Sequence, residues 1–191
     1  MNVLVLGPKR ERFENFFKSN GDNLNFYEGK INSNSSILNS IDFIISYGYR
    51  YIIEEDIINK FNNRIINLHI SYLPWNRGAD PNLWSFLEDT PKGVTIHYID
   101  KGLDTGDIIA QKKIPIYTND TLETTYNRLC QTVEKLLIEH WKNIITGNVN
   151  RIPQDKHSGS FHKIIDKERY THLLTEGWKT PISNLIGKAL Y

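Results

Sequence analysis

Short apolar runs alternate with helix-like segments along most of the chain, and this alternation constrains the fold more than any other feature. The apolar runs predict strands over residues 3–6, 24–27, 43–45, 65–68, 94–99 and 108–116. Helical spacing predicts helices over residues 11–20, 52–61 and 121–146, with another that begins at 80–81. Strands that alternate with helices indicate an α/β domain with a mostly parallel, twisted sheet flanked by helices. Ligands of such sheets bind beyond the carboxyl ends of the strands.

Two helix starts carry recognisable capping signals. Asp80 is the predicted N-cap of a helix that has Pro81 at its first position. Asp120 and Glu123 resemble a capping box at the start of the longest predicted helix. Both signals predict that side chains satisfy the free N–H groups of the first helical turn.

The last forty or so residues differ from the rest, because the periodic pattern weakens after residue 150. Proline, glycine and mixed charges replace it, with one short helix expected after residue 166. We therefore expect one domain over residues 1–150, and a loop-rich tail over 151–191 that packs on it.

Composition excludes several classes of protein. The 191 residues carry a formal net charge of +1, unlike the basic excess of a general nucleic-acid binder. The single cysteine, Cys130, excludes an intrachain disulfide and a cysteine-rich zinc site. The first residues lack the pattern of a signal peptide, and no apolar stretch approaches the ~20 residues of a membrane span. We expect a cytoplasmic protein that uses no metal, membrane or nucleic acid; the sequence indicates no oligomeric state.

The fourth predicted strand ends in two side chains that can do chemistry. Asn67 and His69 are two residues apart, so the period of a strand places them on the same face. An amide donor beside an imidazole suits the polarisation of a carbonyl group and the movement of a proton. The alternative is structural, with Asn67 capping the next loop and His69 packed in the core.

A second polar patch lies between the last two predicted strands. It contains three aspartates, Asp100, Asp104 and Asp107, together with two glycines. Such a segment is typical of a hairpin loop in which aspartates form side-chain turns. Its spacing does not match the calcium loop of an EF-hand.

Taken together, the two patches carry a family resemblance. The sequence reads N-L-H-I-S-Y-L-P over 67–74, G-V-T-I-H over 93–97 and G-L-D-T-G-D over 102–107. In this order and spacing it resembles the formyltransferases that use 10-formyltetrahydrofolate as co-substrate. The resemblance covers about residues 1–150, and P-Q at 153–154 with G-S-F at 159–161 resembles the linker that follows. It implies a Rossmann-like formyltransferase fold.

The resemblance implies a catalytic triad of Asn67, His69 and Asp104. Asn67 would donate its amide hydrogen to the oxyanion of a tetrahedral intermediate. His69 would either donate to that oxygen or accept a proton, and Asp104 would orient His69 and hold a relay water. Which group takes the proton of the amine stays open at this point.

The resemblance also implies where the folate binds. The loop after the third strand would lie along one side of the pterin, and the aspartate-rich loop would form the other side. Much of this contact would come from backbone groups. The implied folate-binding residues are Tyr49, Arg50, Tyr51, Ile52, Asp100 and Lys101.

The acceptor amine differs among these enzymes. The segment G-P-K-R at 7–10 departs from the serine- and glycine-rich phosphate loop of glycinamide-ribonucleotide enzymes. The short tail and balanced charge are unlike the methionyl-tRNA enzymes. The chain most resembles the compact sugar-nucleotide N-formyltransferases and the formylation domain of nonribosomal peptide synthetases, and the first resemblance implies a nucleotide-linked amino sugar of the pseudaminic-acid type as acceptor. The alternatives are a carrier-bound aminoacyl group, as in nonribosomal peptide synthesis, and a folate-binding module without catalysis. The candidate ligands of the sugar nucleotide are Lys9, Arg10, Trp75 and Arg77.

Overall fold

The structure is a computed structural model that describes residues 1–155 and 157–190. Its strands are β1 (Asn2–Leu6), β2 (Asn23–Tyr27), β3 (Phe43–Ser46), β4 (Ile65–His69), β5 (Arg77–Gly78), β6 (Gly93–Tyr98), β7 (Ile108–Lys113) and β8 (Phe161–His162). Its α-helices are α1 (Glu11–Ser19), α2 (Glu55–Lys60), α3 (Pro81–Leu87) and α4 (Leu122–Ile145). Short 3₁₀ helices cover Ser36–Leu38, Ile164–Leu173, Gly177–Lys179 and Ile182–Asn184.

The main sheet has six strands in the order β2-β1-β3-β4-β6-β7. The first four run parallel, β6 runs antiparallel to β4, and β7 runs antiparallel to β6. The antiparallel pairing of β7 with β6 follows from chain length, because the loop between them is too short for the helical crossover that a parallel neighbour needs. The predicted α/β fold with a mostly parallel sheet is confirmed.

Helices cover both faces of this sheet. On one face α4 presents a buried apolar stripe, and the Trp141 ring packs edge-on against Phe17 of α1 and Phe43 of β3 at 4.9 and 5.2 Å. On the other face α2 buries Ile57 in a second apolar cluster. Successive residues of β1 therefore alternate between two cores, which is why all of its apolar side chains are buried.

The capping signals are placed differently from the predictions. At the start of α4, the Thr121 hydroxyl accepts from the Thr124 N–H and the Thr124 hydroxyl accepts from the Thr121 N–H. The predicted box of Asp120 and Glu123 is thus wrong by one residue, because the Asp120 carboxylate instead binds the Arg128 guanidinium through two contacts of 2.7 Å.

Asp80 occupies the predicted N-cap position of α3, but the predicted capping hydrogen bond from its side chain is absent. Pro81 does begin the helix, but Asp80 has a left-handed φ of 51° and its side chain makes no capping hydrogen bond. Its carboxylate instead pairs with Lys167 at 3.0 Å. The ion pair therefore joins the start of α3 to the tail.

Replacing Thr121 by alanine should destabilise the protein by about 1 kcal/mol, the usual effect of losing an N-cap side chain. The variant leaves the Thr124 N–H without its acceptor at the start of α4. Urea unfolding followed by circular dichroism measures the change. Glu123→Ala, an exposed position in the same turn, is the matched control. Equal losses for the two variants would contradict the capping role of Thr121.

The tail packs against the helix α3 and the segment before it. Strand β8 pairs in parallel with β5, and the His162 ring stacks on Trp84 with centroids 3.7 Å apart. Further along, Ile182 and Leu185 are buried against α3. The short helix expected after residue 166 is part of the 3₁₀ segment Ile164–Leu173. Within the described residues, no helix combines the length and apolar character needed to cross a membrane.

Candidate active site

The last residues of β4 and the facing residues of β6 build one polar surface. Asn67 lies directly opposite His97, and His69 lies opposite Thr95. Residues that are opposite in an antiparallel pair share a face, and so do residues two apart on one strand. All four side chains therefore project from the same side of the sheet. The pairing with β6 adds His97 to the pair that strand periodicity predicts.

Asp104 reaches this surface because the loop between β6 and β7 folds back over it. Its Oδ1 accepts from Asn67 Nδ2 at 2.9 Å and its Oδ2 accepts from the Gly78 N–H at 2.8 Å. The same Oδ2 lies 3.7 Å from His69 Nδ1, and Oδ1 lies 3.4 Å from His97 Nε2. The structure thus brings together Asn67, His69 and Asp104, which are 37 residues apart at the extremes.

The tautomer of His69 follows from its partners. Nε2 lies 3.0 Å from the Asn76 carbonyl oxygen, which can only accept, so Nε2 carries the proton. Burial lowers the pKa of His69 below its ordinary value and outweighs the attraction of the Asp104 carboxylate. In the neutral ring, Nδ1 is therefore an acceptor, and it faces Asp104.

Asp104 is held in its ionised form. Burial opposes ionisation, but the His69 and His97 rings and the Gly78 N–H outweigh it and keep the pKa of Asp104 well below its usual range. Two acceptors, His69 Nδ1 and Asp104 Oδ2, thus face each other at 3.7 Å, which is too long for a direct hydrogen bond. A donor group such as an amine can bridge them.

The pKa of His69 can be measured directly. We expect its ring to titrate below about 6.5, the value for an unperturbed histidine, with Nε2 protonated in the neutral form. Since the unfolded chain then binds the proton first, His69 lowers stability as the pH falls below that value. Long-range ¹H–¹⁵N NMR spectra across pH 4–9 test this, with the signal assigned from its loss in His69→Gln. A midpoint at or above 6.5 contradicts the lowered pKa of His69 in the folded protein.

Two residues outside the predicted triad support it. Asn76 is fully buried with a left-handed φ of 57°, and its carbonyl fixes His69. Its side chain accepts from the Thr90 hydroxyl and donates to Glu88 Oε2. His97 donates from Nδ1 to the Tyr98 carbonyl, which leaves Nε2 to accept from Asn67 Nδ2 at 3.3 Å. These contacts fix the orientation of the Asn67 amide.

The residues implied for folate binding fall into two groups. The side chains of three already have partners in the chain: the Tyr49 hydroxyl donates to the Gly29 carbonyl, Asp100 accepts from Thr105, and Lys101 pairs with Glu55. These contacts engage one polar atom of each of the three side chains. The other three, Arg50, Tyr51 and Ile52, have exposed side chains in the loop after β3.

The four candidate ligands of a sugar nucleotide are not equivalent. Arg77 is buried and its guanidinium donates to Gln154 Oε1 at 2.9 and 3.2 Å, so the prediction that it faces a diphosphate does not fit. Lys9 pairs on the surface with Glu14. Arg10 lies over the Tyr47 ring at 4.7 Å from its centroid. Trp75 is partly exposed in the loop after β4.

Across residues 1–155 and 157–190, no group of three or more His, Cys, Asp and Glu side chains is arranged to hold a metal ion. Cys130 is buried in α4. The polar groups at the end of β4 are instead hydrogen-bonded to one another and to the backbone.

Comparison with known proteins assigns the family. The sequence model described as formyl transferase matches residues 23–140, which include Asn67, His69 and Asp104. The chain belongs to the formyl transferase family. Methionyl-tRNA formyltransferase of Listeria monocytogenes serotype 4a (strain HCC23) is 33% identical over 129 residues, which is 67% of this chain and 41% of that protein. The chain therefore spans about two-fifths of the length of this curated relative.

Solved structures of this family extend the likeness over the tail. The formyltransferase PseJ from Anoxybacillus kamchatkensis is 60% identical with a TM-score of 0.96, covering 99% of this chain and 100% of that one. Its crystal structure holds UDP-4,6-dideoxy-4-formamido-L-AltNAc and tetrahydrofolate. A sugar N-formyltransferase from Shewanella sp FDAARGOS_354 is 25% identical with a TM-score of 0.75, covering 88% of this chain and 79% of that one.

Proposed function

We propose that this protein transfers a formyl group from 10-formyltetrahydrofolate to the amine of a nucleotide-linked amino sugar. One observation carries the proposal: the cluster at the end of β4 in which Asn67 donates to Asp104 and His69 Nδ1 faces the Asp104 carboxylate at 3.7 Å. It offers one amide donor and two facing acceptors, which suits an amine that attacks a carbonyl group. The 60% identity to PseJ, whose complex holds a UDP-linked formamido sugar and tetrahydrofolate, supports the choice of substrates.

The residues divide the work of the reaction. The folate supplies the formyl carbon. Asn67 Nδ2 donates to the carbonyl oxygen as negative charge develops there, and the weaker of its two contacts, to His97 at 3.3 Å, is the one this oxygen replaces. His69 Nδ1 takes a proton from the attacking amine and returns it to N10 of the folate as the bond between N10 and the formyl carbon breaks. Asp104 stabilises the imidazolium that results, and it stays ionised.

Arg10 is the cation best placed for the diphosphate. It follows β1, which is separated from β4 by β3 alone, so the ends of the two strands lie about 10 Å apart. A pyranose ring together with its diphosphate spans this order of distance. Within the described residues, Arg10 Nε is buried without a hydrogen-bond partner. A bound phosphate oxygen would satisfy it.

The folate fits the loop after β3. Gly48 has a positive φ of 71°, which turns the backbone after the buried strand. Tyr51 and Ile52 then expose apolar surface, with Ile52 80% exposed. A flat apolar pterin face would cover such side chains, while backbone groups bind its polar edge.

The near-neutral charge and two small-molecule substrates also support a cytoplasmic enzyme that uses no nucleic acid.

Arg10→Gln should raise the KM for the sugar nucleotide about tenfold, because a charged hydrogen bond to phosphate is worth about 1.5–3 kcal/mol. The KM for the folate should stay within twofold. Arg12→Gln is the matched control, since Arg12 donates to the Gln131 carbonyl on α4. Steady-state kinetics with each substrate varied in turn measure both constants. An unchanged sugar KM would remove Arg10 from the diphosphate site.

A product assay tests the proposed function itself. The purified chain is incubated with 10-formyltetrahydrofolate and one amine at a time: a UDP-linked 4-amino sugar, glycinamide ribonucleotide, or a carrier-bound aminoacyl group. We expect mass spectrometry to detect a formylated product with the sugar nucleotide alone. Formylation of only the carrier-bound amine would contradict the sugar as acceptor. Folate binding without product from any amine would indicate a binding module.

A further inference from the structure

Gln154, in the tail, uses its whole side-chain amide to join three parts of the chain. Its Nε2 donates to the carbonyl oxygens of Asp104 at 2.9 Å and Gly106 at 2.7 Å. Its Oε1 accepts from Arg77 Nη2 at 2.9 Å and Nε at 3.2 Å. All four polar contacts are internal, and Arg77 is buried. A side chain 50 residues beyond Asp104 therefore holds the backbone of the aspartate-rich loop.

Two neighbouring residues of β5, Arg77 and Gly78, therefore hold Asp104 at its backbone and at its side chain. The Gly78 N–H binds its carboxylate directly, and Arg77 holds its backbone carbonyl through Gln154. These contacts stabilise an unfavourable backbone conformation, because Asp104 has a left-handed φ of 55°. Such a backbone conformation costs about 1–3 kcal/mol and persists only when its surroundings hold it.

We propose that Gln154, with Arg77, is a positioning residue that sets the carboxylate of Asp104 against Asn67 and His69. The inference rests on the proposed formyl transfer and extends it, because it makes the tail part of the catalytic apparatus. Gln154 acts through the Asp104 backbone and need not touch a substrate. Its removal lets the loop relax, which moves the carboxylate away from the 3.7 Å separation from His69 Nδ1.

Two substitutions separate this role from simple attachment of the tail. Gln154→Leu removes every contact. Gln154→Glu keeps an acceptor for Arg77 but sets a carboxylate oxygen against the carbonyls of Asp104 and Gly106. We expect both variants to lower kcat about 10- to 100-fold, the scale of a misplacement of about 1 Å, with each KM within threefold. Wild-type kcat in Gln154→Glu would overturn the proposal, even where Gln154→Leu fails to fold.

A double-mutant cycle identifies the residue through which Gln154 acts. If the effect passes through the Asp104 carboxylate, Gln154→Glu should lower kcat no further in an Asp104→Ala background. A general loss of packing would lower kcat by the same factor in both backgrounds, and that result would overturn the proposal. Thermal unfolding of each variant records the stability alongside the rate.

Arg151→Ala is the matched control, since Arg151 also joins the tail to this loop. It pairs with Asp107 at 3.0 Å and donates to Asn63, on the exposed side of the loop and without contact to Asp104. We expect its kcat within twofold of wild type, and a loss equal to that of Gln154→Glu would contradict the proposal. If Asp104→Ala itself kept full activity, the proposed function would fail; if only the Gln154 variants did, this inference alone would fail.

Discussion

Replacing Asp104 by asparagine should lower kcat by about 10³- to 10⁴-fold, the scale seen when a carboxylate that supports a catalytic histidine is neutralised in place. Asparagine has the same shape, so its side-chain oxygen can still accept from the Gly78 N–H. It removes the negative charge beside His69 Nδ1, and its amide NH2 replaces the oxygen that accepts from Asn67 Nδ2. The imidazolium formed on proton transfer then loses its stabilising partner in a buried site, where charge interactions are strong.

The same substitution has a predictable effect on stability. The pKa of Asp104 in the folded protein is below that of the unfolded chain, so its ionised form stabilises the fold above about pH 3.8. This contribution is lost as the pH falls through the folded-state pKa. Asp104→Asn should therefore flatten the fall in stability on acidification below about pH 4, which urea unfolding at pH 2–5 measures.

Asp107→Asn is the control for both effects. Asp107 belongs to the same loop, but its carboxylate pairs with Arg151 on the surface. We expect its kcat within twofold of wild type and the fold unchanged by circular dichroism. Turnover of folded Asp104→Asn within tenfold of wild type would remove Asp104 from the triad.

Strand periodicity predicts part of this site and cannot predict the rest. That Asn67 and His69 share a face follows from their spacing alone. Asp104 joins them only because a loop folds back over the sheet, and no local pattern encodes that path; the family resemblance supplied it. The bulge at Ile109 of β7, which shifts the register beside His97, is equally invisible in the spacing of apolar residues.

The misplaced residues share a physical cause, which is a partner that is distant in sequence or offset from the expected position. A buried arginine after a strand looks like an anion ligand until its acceptor is known, and the acceptor of Arg77 lies 77 residues away on Gln154. Asp120 fits a capping box by sequence, but Arg128, two turns further along α4, takes its carboxylate. Local propensity determines which helix or strand forms, and contacts with residues distant in sequence determine which partners its polar side chains bind.

Asn67→Ala should lower kcat by about 10²- to 10³-fold, the usual loss for one donor to a developing oxyanion. Alanine removes Nδ2, which donates to Asp104 Oδ1 at 2.9 Å and supplies the proposed hydrogen bond to the carbonyl oxygen. Because that second bond strengthens only as negative charge develops, the KM of each substrate should change less than threefold. Single-turnover kinetics with saturating substrates isolate the chemical step.

Asn67→Asp distinguishes the donor from the mere presence of a polar group. Aspartate has the same shape but offers no amide hydrogen, and it sets a second carboxylate against Asp104 Oδ1, so it should be at least as slow as Asn67→Ala. Asn25→Ala, an exposed asparagine of the edge strand β2, is the matched control and should keep full turnover. Should folded Asn67→Ala retain turnover near wild type, the oxyanion would need another donor. Should kcat and KM change together, Asn67 would be binding the ground state, and its contribution would be to affinity instead of rate.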